Sequence, residues 1–153
     1  MSLILRFSGS SSIVGVAIKL YTWSRYSHVE TIVDHPTKGR MLFGALPFSG
    51  VGYRPTDATD GEFVEEYIVD TTPFLKHCYV EKLISQQGKP YDYTALVGIL
   101  FHRDWGTNES SWFCSELVAW AMKESGIKFL RTEHKNRITP EDLLLSPLLR
   151  RIT

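Results

Sequence analysis

The dipeptide Thr72-Pro73 divides this chain into two kinds of pattern. A threonine hydroxyl caps a helix, and proline suits the first helical position because its missing N–H has no intrahelical partner there. The pair opens a helix expected to run to Gln87, where Gly88-Lys89-Pro90 stops it. Before it lie short strand-like runs, Leu3 to Phe7, Ser27 to Val33, Arg40 to Ala45, Val51 to Arg54 and Phe63 to Val69. Turn signals such as His35-Pro36-Thr37-Lys38-Gly39 separate them. One helix interrupts this half, from Ile13 to about Trp23, where Ile13, Val16, Ala17 and Leu20 fall at helical spacing. After Thr72 the patterns are helical: Tyr91 to Phe101, a segment from near Cys114 to Gly126, and a second Thr-Pro start at Thr139-Pro140-Glu141-Asp142. Arg103 to Ser110 reads as a polar loop. Strands first and helices after predict an α+β fold, in a single domain spanning 1–153.

Composition narrows the function classes. Basic and acidic residues balance at 17 each, which argues against nucleic acid as the main partner. The run Arg131-Thr132-Glu133-His134-Lys135-Asn136-Arg137 is mixed in charge and reads as a solvated loop. The apolar stretches are too short for a membrane span, and Met1 to Phe7 is too short for a signal peptide, so the expectation is a cytoplasmic protein with no transmembrane segment. The two cysteines, Cys78 and Cys114, can form neither a disulfide framework nor a close zinc pair. No cofactor or metal is expected.

Cys114 lies in Ser110-Ser111-Trp112-Phe113-Cys114-Ser115-Glu116-Leu117. With Ser111 as N-cap it would be the third residue of a helix, where unpaired N–H groups and the dipole favour a thiolate. A buried core cysteine is the competing reading. Cys78 sits mid-helix among Leu75, Tyr79 and Leu83 and reads as packing. His28 lies in a strand, and strand alternation puts Glu30 on the same face, where a carboxylate would orient the imidazole. The competing reading is the polar outer face of an edge strand. A metal site at His28 and Glu30 lacks a third ligand. His35, His77, His102 and His134 sit in or near turns and polar segments and read as surface residues. Tyr91, after the Gly88-Lys89-Pro90 turn, is a candidate to place its hydroxyl near a substrate carbonyl. Glu116 is accounted for by the helix dipole.

These segments, in order, resemble the permuted papain-like branch of the NlpC/P60 superfamily, the group with the YiiX-like proteins. The matching stretches are Tyr26-Ser27-His28-Val29-Glu30, Gly44-Ala45 through Gly50-Val51, Gly88-Lys89-Pro90-Tyr91-Asp92, Phe113-Cys114-Ser115-Glu116-Leu117-Val118 and Thr139-Pro140-Glu141-Asp142-Leu143. The chain is also similar to phage-encoded members. The resemblance implies a circularly permuted papain-like fold, with a helix bearing the nucleophile packed on a small antiparallel sheet bearing the histidine. It implies Cys114 as nucleophile, His28 as general base and the Cys114 backbone N–H in an oxyanion hole. Members often carry a third polar residue on the strand after the histidine. The comparable stretch here, Met41-Leu42-Phe43-Gly44-Ala45, has none, and Glu30 is the substitute on geometry.

Three functions follow as expectations. The first is a cysteine peptidase or amidase acting on a peptide or a peptidoglycan fragment. The second is transfer or hydrolysis of lipid acyl groups by the same thiol. The third is a binding module that keeps the fold without turnover.

Overall fold

Alternation along the first strand sets the architecture. In β1 (Ser2–Ser10) Leu3, Leu5 and Phe7 are enclosed while the residues between them are partly exposed, so one face of the strand is committed to a core. The computed structural model describes residues 2–58, 61–94, 110–130 and 138–153. β1 pairs antiparallel with β2 (His28–His35) on one side and with β5 (Gly61–Asp70) on the other. β3 (Gly39–Leu46) and β4 (Gly50–Pro55) extend the sheet beyond β2, and the short β6 (Leu149–Arg151) closes the opposite edge. The result is a six-stranded sheet in the order β4-β3-β2-β1-β5-β6. β2 is therefore interior, flanked by β1 and β3, and the edge-strand reading of His28 and Glu30 does not hold.

Among the described residues the helices are α1 (Ile13–Thr22), α2 (Pro73–Ser85), α3 (Cys114–Glu124) and α4 (Pro140–Leu143). Thr72 caps α2 by accepting from the Leu75 N–H, with Pro73 at the first position. The helix stops at Ser85, two residues short of the expected Gln87, because the chain tightens onto Gln86 as C-cap. Thr139 and Asp142 make a reciprocal capping box at α4. In α1 the apolar spacing located the helix, but Gly15 and Ile18 are the residues buried. Ile13 and Leu20 face outward. A Cβ on Gly15 would lie 2.7 Å from Ser10, so its absence lets α1 lie against the end of β1.

One core joins the sheet to the helices. Leu5 and Phe7 of β1, Val29 and Val33 of β2 and Phe43 and Ala45 of β3 pack with Leu117, Val118, Ala121 and Met122 of α3 and with Leu83 of α2. Burial of each such large side chain is worth about 1.5–3 kcal/mol. Tyr79 of α2 is fully enclosed, and its hydroxyl is satisfied by Thr31 of β2 at 2.7 Å. Cys78, next to it, is half-buried at the rim of this core rather than inside it. Most of the expected Tyr91 to Phe101 helix, the Arg103 to Ser110 loop except Ser110, the Arg131 to Arg137 run, His102 and His134 lie outside the described residues.

Candidate active site

The nucleophile candidate is placed by a change from extended chain to helix. Trp112 bridges to Tyr91, with Trp112 N–H donating to the Pro90 carbonyl at 3.0 Å and Asp92 N–H to the Trp112 carbonyl at 2.9 Å. That pairing keeps the chain extended through Phe113, which becomes the N-cap with φ −88° and ψ 148°. Cys114 is thus the first residue of α3, not the third, and Ser111 is not the cap. Phenylalanine has no side-chain oxygen to offer, so the N-cap residue makes no side-chain cap hydrogen bond. The partial positive charge of the first turn falls directly at Cys114, which is fully buried. Ser115 ties the same turn to the segment before α4 by donating its hydroxyl to the Ile138 carbonyl.

His28, the first residue of β2, lies close enough to Cys114 for the sulfur to act on its ring. Its Nε2 lies 3.5 Å from Glu30 Oε2 and has no hydrogen-bond partner, so that contact is one of charge. Burial by itself lowers the His28 pKa, but the negative charges of Glu30 and Cys114 outweigh it and push the ring up to about 10. At neutral pH the ring is an imidazolium.

Glu30 is enclosed and doubly held. Burial alone would raise its pKa; His28 and Arg54 outweigh that and hold the carboxyl at about 2. Arg54 of β4 grips it with a two-pronged contact, Nε to Oε1 at 2.7 Å and Nη2 to Oε2 at 2.5 Å. Between them lies Gly44 of β3, where a Cβ would fall 2.9 Å from Glu30 Cγ. The stretch after the histidine thus lacks a polar residue because its glycine makes room for the carboxylate reaching in from β2. Sequence reasoning missed both Arg54 and Gly44. The one signal was an arginine inside a strand that otherwise reads Gly50-Val51-Gly52-Tyr53.

Tyr91 is buried, its ring edge-on to Tyr93 at 5.1 Å and tilted on Phe113 at 5.8 Å. Burial first, and then the Cys114 charge, push its hydroxyl far above the usual range, so it remains a protonated donor. Cys114, His28, Glu30 and Tyr91 therefore converge on one place. His35 and His77 do not; His77 pairs with Glu81 along α2 at 3.4 Å.

The fold is similar to that of the metalloprotein YiiX from Escherichia coli O157:H7 (DUF1105), with a TM-score of 0.76 over 100% of this chain and 96% of that one. Sequence identity is 19%, so the likeness is one of fold. No protein-family model matches the chain, and no curated protein matches its sequence. The donor set here does not suit a metal ion. Among the described residues no three of His, Cys, Asp and Glu converge as ligands. Both oxygens of Glu30 are already engaged by the Arg54 guanidinium.

Proposed function

We propose that the chain is a thiol hydrolase of the permuted papain-like kind, acting on an amide bond of a peptide or a peptidoglycan-derived substrate. The observation that carries the reading is His28 lodged between Cys114 and an Arg54-held Glu30. In this reading His28 takes the proton of Cys114, and the thiolate so formed is the nucleophile.

Sγ attacks the carbonyl carbon, and the electron pair displaced onto oxygen is held by N–H groups of the first turn of α3, where the N-cap side chain makes no hydrogen bond. In this reading the protonated hydroxyl of the nearby Tyr91 is a further donor. His28 gives its proton to the departing amine as the C–N bond breaks, leaving a thioester on Cys114. Neutral His28 then takes a proton from water, the hydroxide attacks the thioester, and the thiolate leaves a carboxylic acid. Glu30 keeps the ring oriented and favours its charged form throughout. Because Cys114 is enclosed, neighbouring atoms must move aside before a carbonyl reaches it.

That enclosure also favours a second reading, a binding module in which Cys114 is a core residue. Alkylation of each cysteine by iodoacetamide against pH, read by peptide mass spectrometry on the folded protein, separates the two. Hydrolysis requires fast labelling of Cys114 persisting well below pH 7 and lost in His28→Ala. Labelling that rises only near pH 8.5, the ordinary thiol range, and ignores His28 would leave only the binding module. Cys114→Ala should abolish amide hydrolysis at little cost in stability.

A further inference from the structure

Among the described residues Phe48 and Trp23 are the large apolar side chains that stand almost wholly exposed on a backbone of positive φ, and Phe48 is the one tied by ring contacts to the candidate site. It is a large apolar side chain, 93% exposed, at the tip of the β3–β4 hairpin. Its φ is +69°, in the left-handed region that non-glycine residues avoid. The tip is not loose. Val51 N–H donates to the Lys89 carbonyl at 2.8 Å, and Gly88 N–H donates back to the Val51 carbonyl at 2.9 Å. Gly50, at φ +74°, allows this closeness, since a Cβ there would sit 2.5 Å from the Lys89 carbonyl oxygen. The Phe48 N–H itself donates to the Tyr93 hydroxyl at 2.7 Å. A strained, pinned backbone that holds an apolar ring out in water fits a ligand contact better than it fits stability.

The ring leads back to the site. Phe48 lies 6.2 Å from Tyr93 between centroids, Tyr93 lies 5.1 Å from Tyr91, and Tyr91 lies 5.8 Å from Phe113, the residue before Cys114. Tyr93 is itself partly open to solvent. The tip residues Pro47, Phe48, Ser49 and Gly50 carry no charge. We infer that Phe48 and Tyr93 form a subsite for an apolar or aromatic side chain of the substrate, beside the amide that Cys114 attacks. The inference rests on the hydrolase reading and adds a substrate class to it: peptides with an apolar residue near the scissile bond, rather than stems made only of small and acidic residues.

The test measures binding without turnover. The Cys114→Ala protein is titrated by calorimetry with capped tripeptide amides that differ only in a central Phe, Leu, Gly or Asp. The expected result is tighter binding of the Phe and Leu peptides by about tenfold or more over Gly, the scale for filling an apolar pocket, with the preference abolished by Phe48→Ala. Phe48→Gly should lose the preference equally while melting no lower, because glycine accepts the positive φ that phenylalanine strains against. Equal affinities for the four peptides, or a preference that survives Phe48→Ala, would overturn the subsite. The two readings fail separately. Fast low-pH alkylation of wild-type Cys114 with no apolar preference removes only the subsite, whereas slow alkylation with the preference intact removes only the hydrolase.

Discussion

Glu30 is held from two sides, by a histidine on its own strand and an arginine two strands away. Replacing it with glutamine removes the negative charge and leaves two cations facing each other in an enclosed place. Losing one partner of a buried pair costs about 3–5 kcal/mol, so urea unfolding of Glu30→Gln at pH 7 should show a loss of that order. The His28 pKa should fall in the same variant, because burial is then opposed by less negative charge. Cys114 alkylation at pH 6 should slow in consequence, and an unchanged rate would mean that Glu30 does not govern the ring. At this scale strand alternation placed Glu30 on the same side as His28, because alternation is a local property. The sequence was silent on Arg54. Nothing local ties position 54 to position 30; the tie comes from the register that pairs Thr31 with Phe43 and Gly44 with Gly52.

At the scale of elements, the β2–β3–β4 ladder provides a paired experiment. Gly44 and Gly52 face each other across β3 and β4. A methyl group at 44 would press on Glu30 Cγ at 2.9 Å, and the carboxylate beyond that carbon cannot retreat because Arg54 grips it. A methyl group at 52 meets nothing within 4 Å. Gly44→Ala should therefore destabilise by about 1–3 kcal/mol, the cost of overpacking, while Gly52→Ala stays within about 0.5 kcal/mol of the parent. Equal melting temperatures for the two variants would dismiss the view of Gly44 as space for Glu30. Strand positions were legible in this half because apolar alternation and Gly or Pro turns mark them. The start of α3 was misplaced because Ser111 has the chemistry of a cap, yet the Trp112–Tyr91 bridge keeps the chain extended two residues past it. Long-range pairing overrode a local signal.

For the whole molecule, the two shifted groups set a pH window. The His28 pKa is raised from 6.5 to about 10, so its contribution to stability is complete below pH 6.5 and is lost as pH rises through 10. The Glu30 pKa is lowered from 4.5 to about 2, so its contribution is complete above pH 4.5 and is lost as pH falls through 2. Both are at full strength between pH 4.5 and 6.5. Thermal melts across pH should show a plateau there, a decline on the alkaline side that His28→Ala removes, and a decline on the acid side that Glu30→Gln removes. A melting temperature flat to pH 9 in the parent protein would contradict the charged state of His28.

The sheet order has a consequence for how such a site comes into being. Five of the six strands are complete by Asp70, and His28 stands inside that sheet, while Cys114 opens a helix more than forty residues later. During synthesis the chain emerges from its N-terminus and can begin to organise as it does so. The strand that bears His28 is therefore synthesised well before the sulfur beside it. A chain lacking residue 114 has the ring and the carboxylate but not the sulfur, nor the helix that packs over them. The site is assembled only when the later half packs against the sheet.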